Sequence, residues 1–207
     1  MTQTKPKYRS VEDYLNEPPG EFERAEYFEG ELIKMPPESG KNVRIATALQ
    51  LHLIFKGFFP FTQVVTGACE IQVERFHQDD KETRMPDLTI IRSEHIALTD
   101  RRFTIRLSMP SPLLIAEIVS PYASQKERNY QEDYIRKPYQ YAMRGIPEYW
   151  IIDPQSEMVT VQDGPQDGGY NLTQEYVGSD RVRSQLPELK ELQLTAQQIL
   201  NPEGGEG

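Results

Sequence analysis

The sequence predicts a mixed α/β (α+β) protein with one central mixed sheet flanked by helices. Three observations predict it. Short apolar runs of strand length occur in "PDLTIIR", "PLLIAEIVSP" and "PEYWIID". Two stretches with helical spacing, "SGKNVRIATALQLHLIFKGF" and residues 125–144, alternate with those runs. Hairpin patterns lie towards both ends, in "ERAEYFEGELIKMPP" and in "EMVTVQD" followed by "GGYNLTQEYV". Strands interleaved with helices bury their apolar faces as a sheet covered by helices.

The elements follow in order. "SVEDYLNE", 10–17, reads as a short helix with Ser10 as N-cap and Asp13 at the third position. The first hairpin runs to Phe28, turns at Glu29-Gly30 and returns to Met35. The next helix has apolar residues at Val43, Ala46, Leu49, Leu51, Leu53 and Ile54, and Gly57 stops it. Strands are expected at about 62–66 and 69–76, then a polar loop "QDDKET", 78–83. The strands "PDLTIIR" and "SPLLIAEIVSP" are joined by a loop around 94–111. Residues 125–144 read as a helix stopped by Gly145, with a kink or two abutting helices at Pro138, since proline removes a backbone donor and disfavours helical geometry at Lys137. A strand to Asp153, a hairpin across "GPQDGG" and a last helix "TAQQIL" complete a single domain expected over 1–200, with a disordered tail over 201–207.

Composition narrows the function classes. Hydrophobic residues make up 37% and charged residues 27%, a soluble balance with no apolar run long enough for a membrane helix. The start, "MTQTKPKYRS", lacks the apolar core of a signal peptide, so a cytoplasmic protein is expected. The single cysteine, Cys69, excludes an internal disulfide and a cysteine-cluster zinc site. The net charge of -9 argues against coating nucleic acid through a broad basic surface, but leaves room for a local cationic cleft with a metal.

Glu117 is the residue that demands a chemical account. It sits inside a strand apolar on both sides, where an unpaired carboxylate costs several kcal/mol. Asp87 opens the neighbouring apolar strand "DLTIIR". Two such strands side by side would aim both acids at one point, and paired carboxylates repel unless a proton or cation lies between them. Mg²⁺ suits oxygen ligands with retained waters, and the Val119 carbonyl is a plausible third ligand. Against this stand ordinary readings: Asp87 as a strand-start residue, Glu117 paired with a buried base, Asp133 and Lys137 as a helical i,i+4 pair. Glu29 and Glu31 flank a turn glycine and read as solvated acids, one of which could reach a metal. His52, His77 and His95 show no ligand spacing, and no serine-hydrolase elbow is present.

The segments "YFEGELIKMPP", "RMPDLTIIR", "PLLIAEIVSP" and "YAMRGIPEYWIIDP" stand in the order seen in the Uma-two family, which the chain resembles from about residue 24 to residue 200. Its members are restriction-endonuclease-like proteins of the PD-(D/E)XK nuclease superfamily. The resemblance implies a restriction-endonuclease-like fold. It implies that Pro86-Asp87 and Glu117 match the superfamily acids. It departs at Val119, where the superfamily lysine would stand. Lys137 is the best match for a lysine moved to the next helix, with Lys126 second, and Glu29 or Glu31 would match the acid that some members bring from the N-terminal part.

The expected function is a Mg²⁺-dependent (or Mn²⁺-dependent) nuclease hydrolysing phosphodiester bonds in DNA. Asp87, Glu117 and the Val119 carbonyl would hold the metal, and Lys137 would complete the catalytic set. A homodimer is expected, since two-strand cutting uses two copies. "GFFPF", 57–61, and the tyrosine-rich 130–141 are candidate apolar patches. The rival is a non-catalytic binding or assembly protein on a nuclease-like fold, favoured by the acidic charge and by the missing lysine at 119.

Overall fold

The computed structural model describes residues 7–18 and 24–204. In chain order the elements are α1 (Val11–Asn16), β1 (Ala25–Phe28), β2 (Glu31–Lys34), α2 (Gly40–Phe55), β3 (Val64–Thr66), β4 (Glu70–Gln72), β5 (Thr83–Arg84) and β6 (Leu88–Ile90). Then come α3 (Ser93–Leu98), β7 (Thr104–Ile105), β8 (Leu114–Ile118), α4 (Arg128–Gln131), a π-helical turn (Glu132–Arg136) and α5 (Lys137–Met143). β9 (Glu148–Asp153), β10 (Met158–Gln166), β11 (Gly169–Val177), a 3₁₀ turn (Pro187–Leu189) and α6 (Ala196–Leu200) complete the order.

Among the described residues the main sheet has six strands in the order β11-β10-β9-β8-β6-β3. β8 and β9 are parallel and the other neighbours antiparallel, so the sheet is mixed as expected. A smaller sheet, β5-β4-β7, and the β1-β2 hairpin lie beside it.

Every residue of β8 is buried, as its apolar run requires. Leu114, Ala116 and Ile118 pack with Ile45, Leu49 and Leu53 of α2 and Ile199 of α6. Ile115 and Val119 point the other way, towards Tyr141, Tyr149, Ile151 and Ile71 of the small sheet. The period of two puts Glu117 on this second face. Burying an aliphatic side chain such as Leu114 stabilises by roughly 1.5–3 kcal/mol, so the register of β8 is firmly set.

Local signals act as read. Ser10 Oγ accepts from Asp13 N at 3.1 Å and caps α1. Glu29 and Gly30 turn with φ of 47° and 87°, a conformation glycine adopts freely. Gly57 and Gly145 stop their helices at φ 75° and 72°. Within α2, Ala46, Leu49 and Leu53 are buried, whereas Val43 and Leu51 face outward.

Four expectations need correction. The loop around 94–111 contains α3 and β7. The polar loop 78–83 ends in β5. The strand expected over 69–76 is regular only over Glu70–Gln72. The strands of the last hairpin extend into "GPQDGG", so the turn narrows to Asp167-Gly168. α3, β4, β5 and β7 are too short to carry a period, and their packing and pairing in the fold decide them. Of the tail, residues 205–207 lie outside the described residues, and Gly204 N donates to Asn201 O at 3.1 Å.

Candidate active site

Asp87 stands between Pro86 and β6 and is held against β8. Its Oδ2 accepts the Ile118 amide at 2.8 Å, which seats it beside Glu117 on the neighbouring antiparallel strand. Its Oδ1 faces Arg24 at 3.4 Å. Burial pushes its pKa up to about 6, with Glu38 adding to the rise and Lys137, the Ile118 amide and Arg24 opposing it.

Glu117 has both oxygens engaged. Tyr141 donates its hydroxyl to Oε1 at 2.8 Å, and Lys137 Nζ lies 3.0 Å from Oε2. Burial pushes this carboxyl up to about 8; Lys137 pulls it down, while Asp87 and Asp133 raise it.

Lys137 comes from the start of α5. Its Nζ is also 2.6 Å from Asp133 Oδ1. Burial alone would lower the lysine pKa, but Asp133 and Glu117 outweigh it and hold the ammonium above its ordinary value. Two helical segments abut just before Pro138, as expected: the π turn ends at Arg136 and α5 begins at Lys137, with the proline in its first turn. Lys137 keeps helical geometry at φ -60° and ψ -48°, and its amide donates to Glu132 O across the π turn. The wider turn places the proline's missing donor at the start of a new helical segment, where it costs least. Asp133 is fixed as well: Tyr149 donates its hydroxyl to the Asp133 carbonyl at 2.9 Å.

The other sequence candidates fall as follows. Val119 is buried on the Glu117 face, and its amide donates to Ile152 O at 2.9 Å. Lys126 is exposed ahead of α4. Glu29 pairs with Arg75 at 2.9 Å on the hairpin tip, and Glu31 is exposed; neither joins Asp87 and Glu117. The N-terminal acid that does approach is Glu26, buried in β1, 3.5 Å from Arg84 and near enough to raise the Lys137 pKa. Glu26 carries in the sequence the same signal as Glu117, an acid between Ala25 and Tyr27 in a strand, whereas nothing local marks Arg24, and Tyr141 reads only as part of a tyrosine-rich packed face. His95 is buried with its ring nitrogens on Arg92 N and Pro110 O. Burial of Cys69 pushes its thiol pKa up, as an inert core thiol requires.

Among the described residues no group of three or more His, Cys, Asp or Glu could hold a metal ion. The donor set near Glu117 is its own carboxylate and that of Asp87. That fits a hard divalent ion that retains most of its waters, and does not form a closed protein cage. The raised pKa of both acids marks a place where added positive charge is favoured.

A mixed sheet carrying an acid pair and a lysine on one face describes a restriction-endonuclease-like protein. Residues 11–197 match the family described as "Uma2: Putative restriction endonuclease", and the chain belongs to that family. Its fold is similar to a crystal structure described as "a putative nuclease belonging to DUF820" from Anabaena variabilis ATCC 29413. The TM-score is 0.59 and the identity 20%, over 92% of this chain and 97% of that one. No curated protein matches. Restriction-endonuclease-like proteins generally use divalent metal ions. Among the described residues no helix is long and apolar enough to cross a membrane.

Proposed function

We propose that this protein is a Mg²⁺- or Mn²⁺-dependent nuclease that hydrolyses phosphodiester bonds in DNA. The observation that carries the reading is the Lys137 ammonium 3.0 Å from Glu117 Oε2, with Asp87 seated on the adjacent amide. Asp87, Glu117 and the Val119 carbonyl would hold the ion, which when bound supplies charge that polarises the phosphate and acidifies a water. Hydrolysis adds water across one P–O bond: phosphorus gains an oxygen and the departing sugar oxygen gains a proton. Lys137 stays protonated between its two acids, so its part is to offset charge developing on the phosphate, not to take the water's proton. Asp133 keeps that ammonium in place. Tyr141 holds Glu117 in one rotamer.

The test is a cleavage assay with Mg²⁺ and with Mn²⁺ on duplex, single-stranded and branched DNA. Wild type is expected to cut at least one form. Glu117→Ala and Lys137→Ala should each lose on the order of 10²-fold or more, as when one preorganised charge-stabilising group is removed. Equal cutting by Glu117→Ala would sink the assignment.

The reading includes a cytoplasmic homodimer. Of the phenylalanines in 55–61, Phe59 is buried and Phe58 packs on the core, while Phe55 and Phe61 are 80% and 74% exposed. In the tyrosine-rich segment Tyr141 is buried, and Tyr130 stacks on Tyr134 with ring centres 4.4 Å apart. Sedimentation at micromolar concentration should give roughly twice the 23.9 kDa chain mass; a monomer would remove the dimer and leave the site reading intact. A non-catalytic binding or assembly role is favoured by one observation: both Glu117 oxygens are already satisfied within the chain. No cutting under any metal, together with retained affinity for DNA, would select that role.

A further inference from the structure

Arg24 is bound far less completely than the other cations around the acid pair. Its NH1 donates to Glu38 at 2.9 Å. Its NH2 reaches Met85 O at 3.5 Å and Asp87 Oδ1 at 3.4 Å, both at the outer limit of a hydrogen bond. Its Nε is buried with no partner among the described residues. A guanidinium presents five donors in a planar fork suited to two oxygens of one anion, and here one edge of that fork is almost unused. Lys137, by contrast, makes two short contacts at 2.6 and 3.0 Å.

The surroundings give that edge somewhere to act. A cavity of about 130 Å³ is lined by Arg24, Glu38, Asn42, Thr47, Thr66 and Asp87. A single water needs about 10–15 Å³ of such space, so the cavity has room for several waters or a phosphoryl group. The hairpin fixes the arginine backbone there, since Met35 N donates to Arg24 O at 2.9 Å. Glu38 tethers the guanidinium without closing the cavity.

We infer that Arg24 binds the phosphate of the substrate, exchanging its two long contacts with Asp87 and Met85 for a non-bridging phosphate oxygen while Glu38 retains NH1. This rests on the reading that Asp87 and Glu117 hold a divalent ion, because an anion approaches Asp87 closely only when that carboxylate is neutralised. Phosphate binding at Arg24 is therefore metal-dependent. The β1-β2 hairpin thereby acquires a role: it carries the arginine to the mouth of the site.

The test measures binding apart from turnover. Inorganic phosphate is titrated into wild type, Arg24→Gln, Arg24→Lys and Glu38→Gln by calorimetry, with and without Mg²⁺. A fluorescent 12-nucleotide single strand is followed by anisotropy in Ca²⁺ over a range of salt. Wild type should bind phosphate only with Mg²⁺. Arg24→Gln should weaken it about tenfold or more, the scale of a charged hydrogen bond, and should reduce the salt slope on the single strand by about 0.7. Arg24→Lys keeps the charge but loses the fork and should fall between. Glu38→Gln frees the guanidinium from a competing carboxylate and should tighten phosphate about threefold, a reversal that a purely structural arginine would not produce. If Arg24→Gln does not fold, the Arg24→Lys and Glu38→Gln arms decide. Phosphate binding unchanged in Arg24→Gln, or absent in wild type with Mg²⁺, overturns the inference. Arg24-dependent phosphate binding without affinity for the oligonucleotide keeps the inference and ends the DNA reading. DNA cutting that is indifferent to Arg24 does the reverse.

Discussion

One helical segment serves a buried cation and a partly buried one, and they are put to different uses. Arg84, 1% exposed, donates to Gln140 Oε1 at 2.6 and 2.9 Å, to Glu132 at 2.7 Å and to Glu26 at 3.5 Å. Lys137, 12% exposed, sits between Asp133 and Glu117. On the helix, 133, 137 and 141 form a row four residues apart facing β8, and 132 and 140 belong to the adjacent row facing β5. Side chains four apart share a face, so a one-residue offset sends Glu132 and Gln140 to Arg84 and sends Asp133, Lys137 and Tyr141 towards Glu117. The Arg84 network joins β1, β5 and the helix as a structural tie. Besides Asp133 and Glu117, the Lys137 network holds Asp87 within its field. The same chemistry, a cation among buried acids, becomes a candidate site where a further acid, Asp87, adds negative charge beside the pair.

The largest effect expected from breaking this comparison is on Arg84. Arg84→Met removes one partner of a buried ionic network and should cost about 3–5 kcal/mol in urea unfolding. Lys137→Met should cost less, about 1–3 kcal/mol, because Glu117, raised to a pKa of about 8, already holds a proton at neutral pH and is not left as an unpaired charge. Equal losses would show that the two networks are energetically alike.

Metal should separate them next. Mg²⁺ at 100-fold its Kd stabilises a native-state site by about 2.7 kcal/mol. The gain should appear in wild type and vanish in Glu117→Gln, read from melting curves. The same gain in both proteins would move the site elsewhere.

A pH series without metal sharpens the point. Glu117 has a folded pKa of about 8 against an ordinary 4.5, so between those values the folded chain holds a proton that the unfolded chain has released. Stability therefore falls as pH rises from 6.5 to 8, by up to about 1.4 kcal/mol per pH unit for one proton. Glu117→Gln should flatten that window, and a slope retained in the variant would assign it to another group.

Tyr141→Phe deletes one hydrogen bond to Glu117 Oε1 and should cost about 1 kcal/mol, while loosening the acid enough to slow any cleavage. The smallest effect belongs to the exposed pair Arg44–Glu203. Arg44→Ala should change stability by under about 1 kcal/mol, and a larger loss would give the α2–C-terminal contact unexpected weight.

The sequence by itself determined the elements whose reasons are local. Ser10, Gly57 and Gly145 marked helix ends through caps and positive φ, and Glu29-Gly30 marked the turn for the same reason. The apolar runs of β6, β8 and β9 marked the centre of the sheet, and the solitary acid in β8 marked the residue around which the candidate site is built. What only the tertiary structure decided depends on which side chains distant segments bring together. Asp133 and Lys137 looked like an ordinary helical pair until β8 delivered Glu117 to the same ammonium. Glu26 rather than Glu29 or Glu31 faces inward because strand alternation and the docking of β1 on β5 choose the face. Arg24 carried no local signal, since its role depends on a hairpin placing it 63 residues from Asp87 in sequence yet beside it in space. A one-dimensional pattern records the cost of burying a charge, but the partner that offsets that cost is fixed only when the chain has closed.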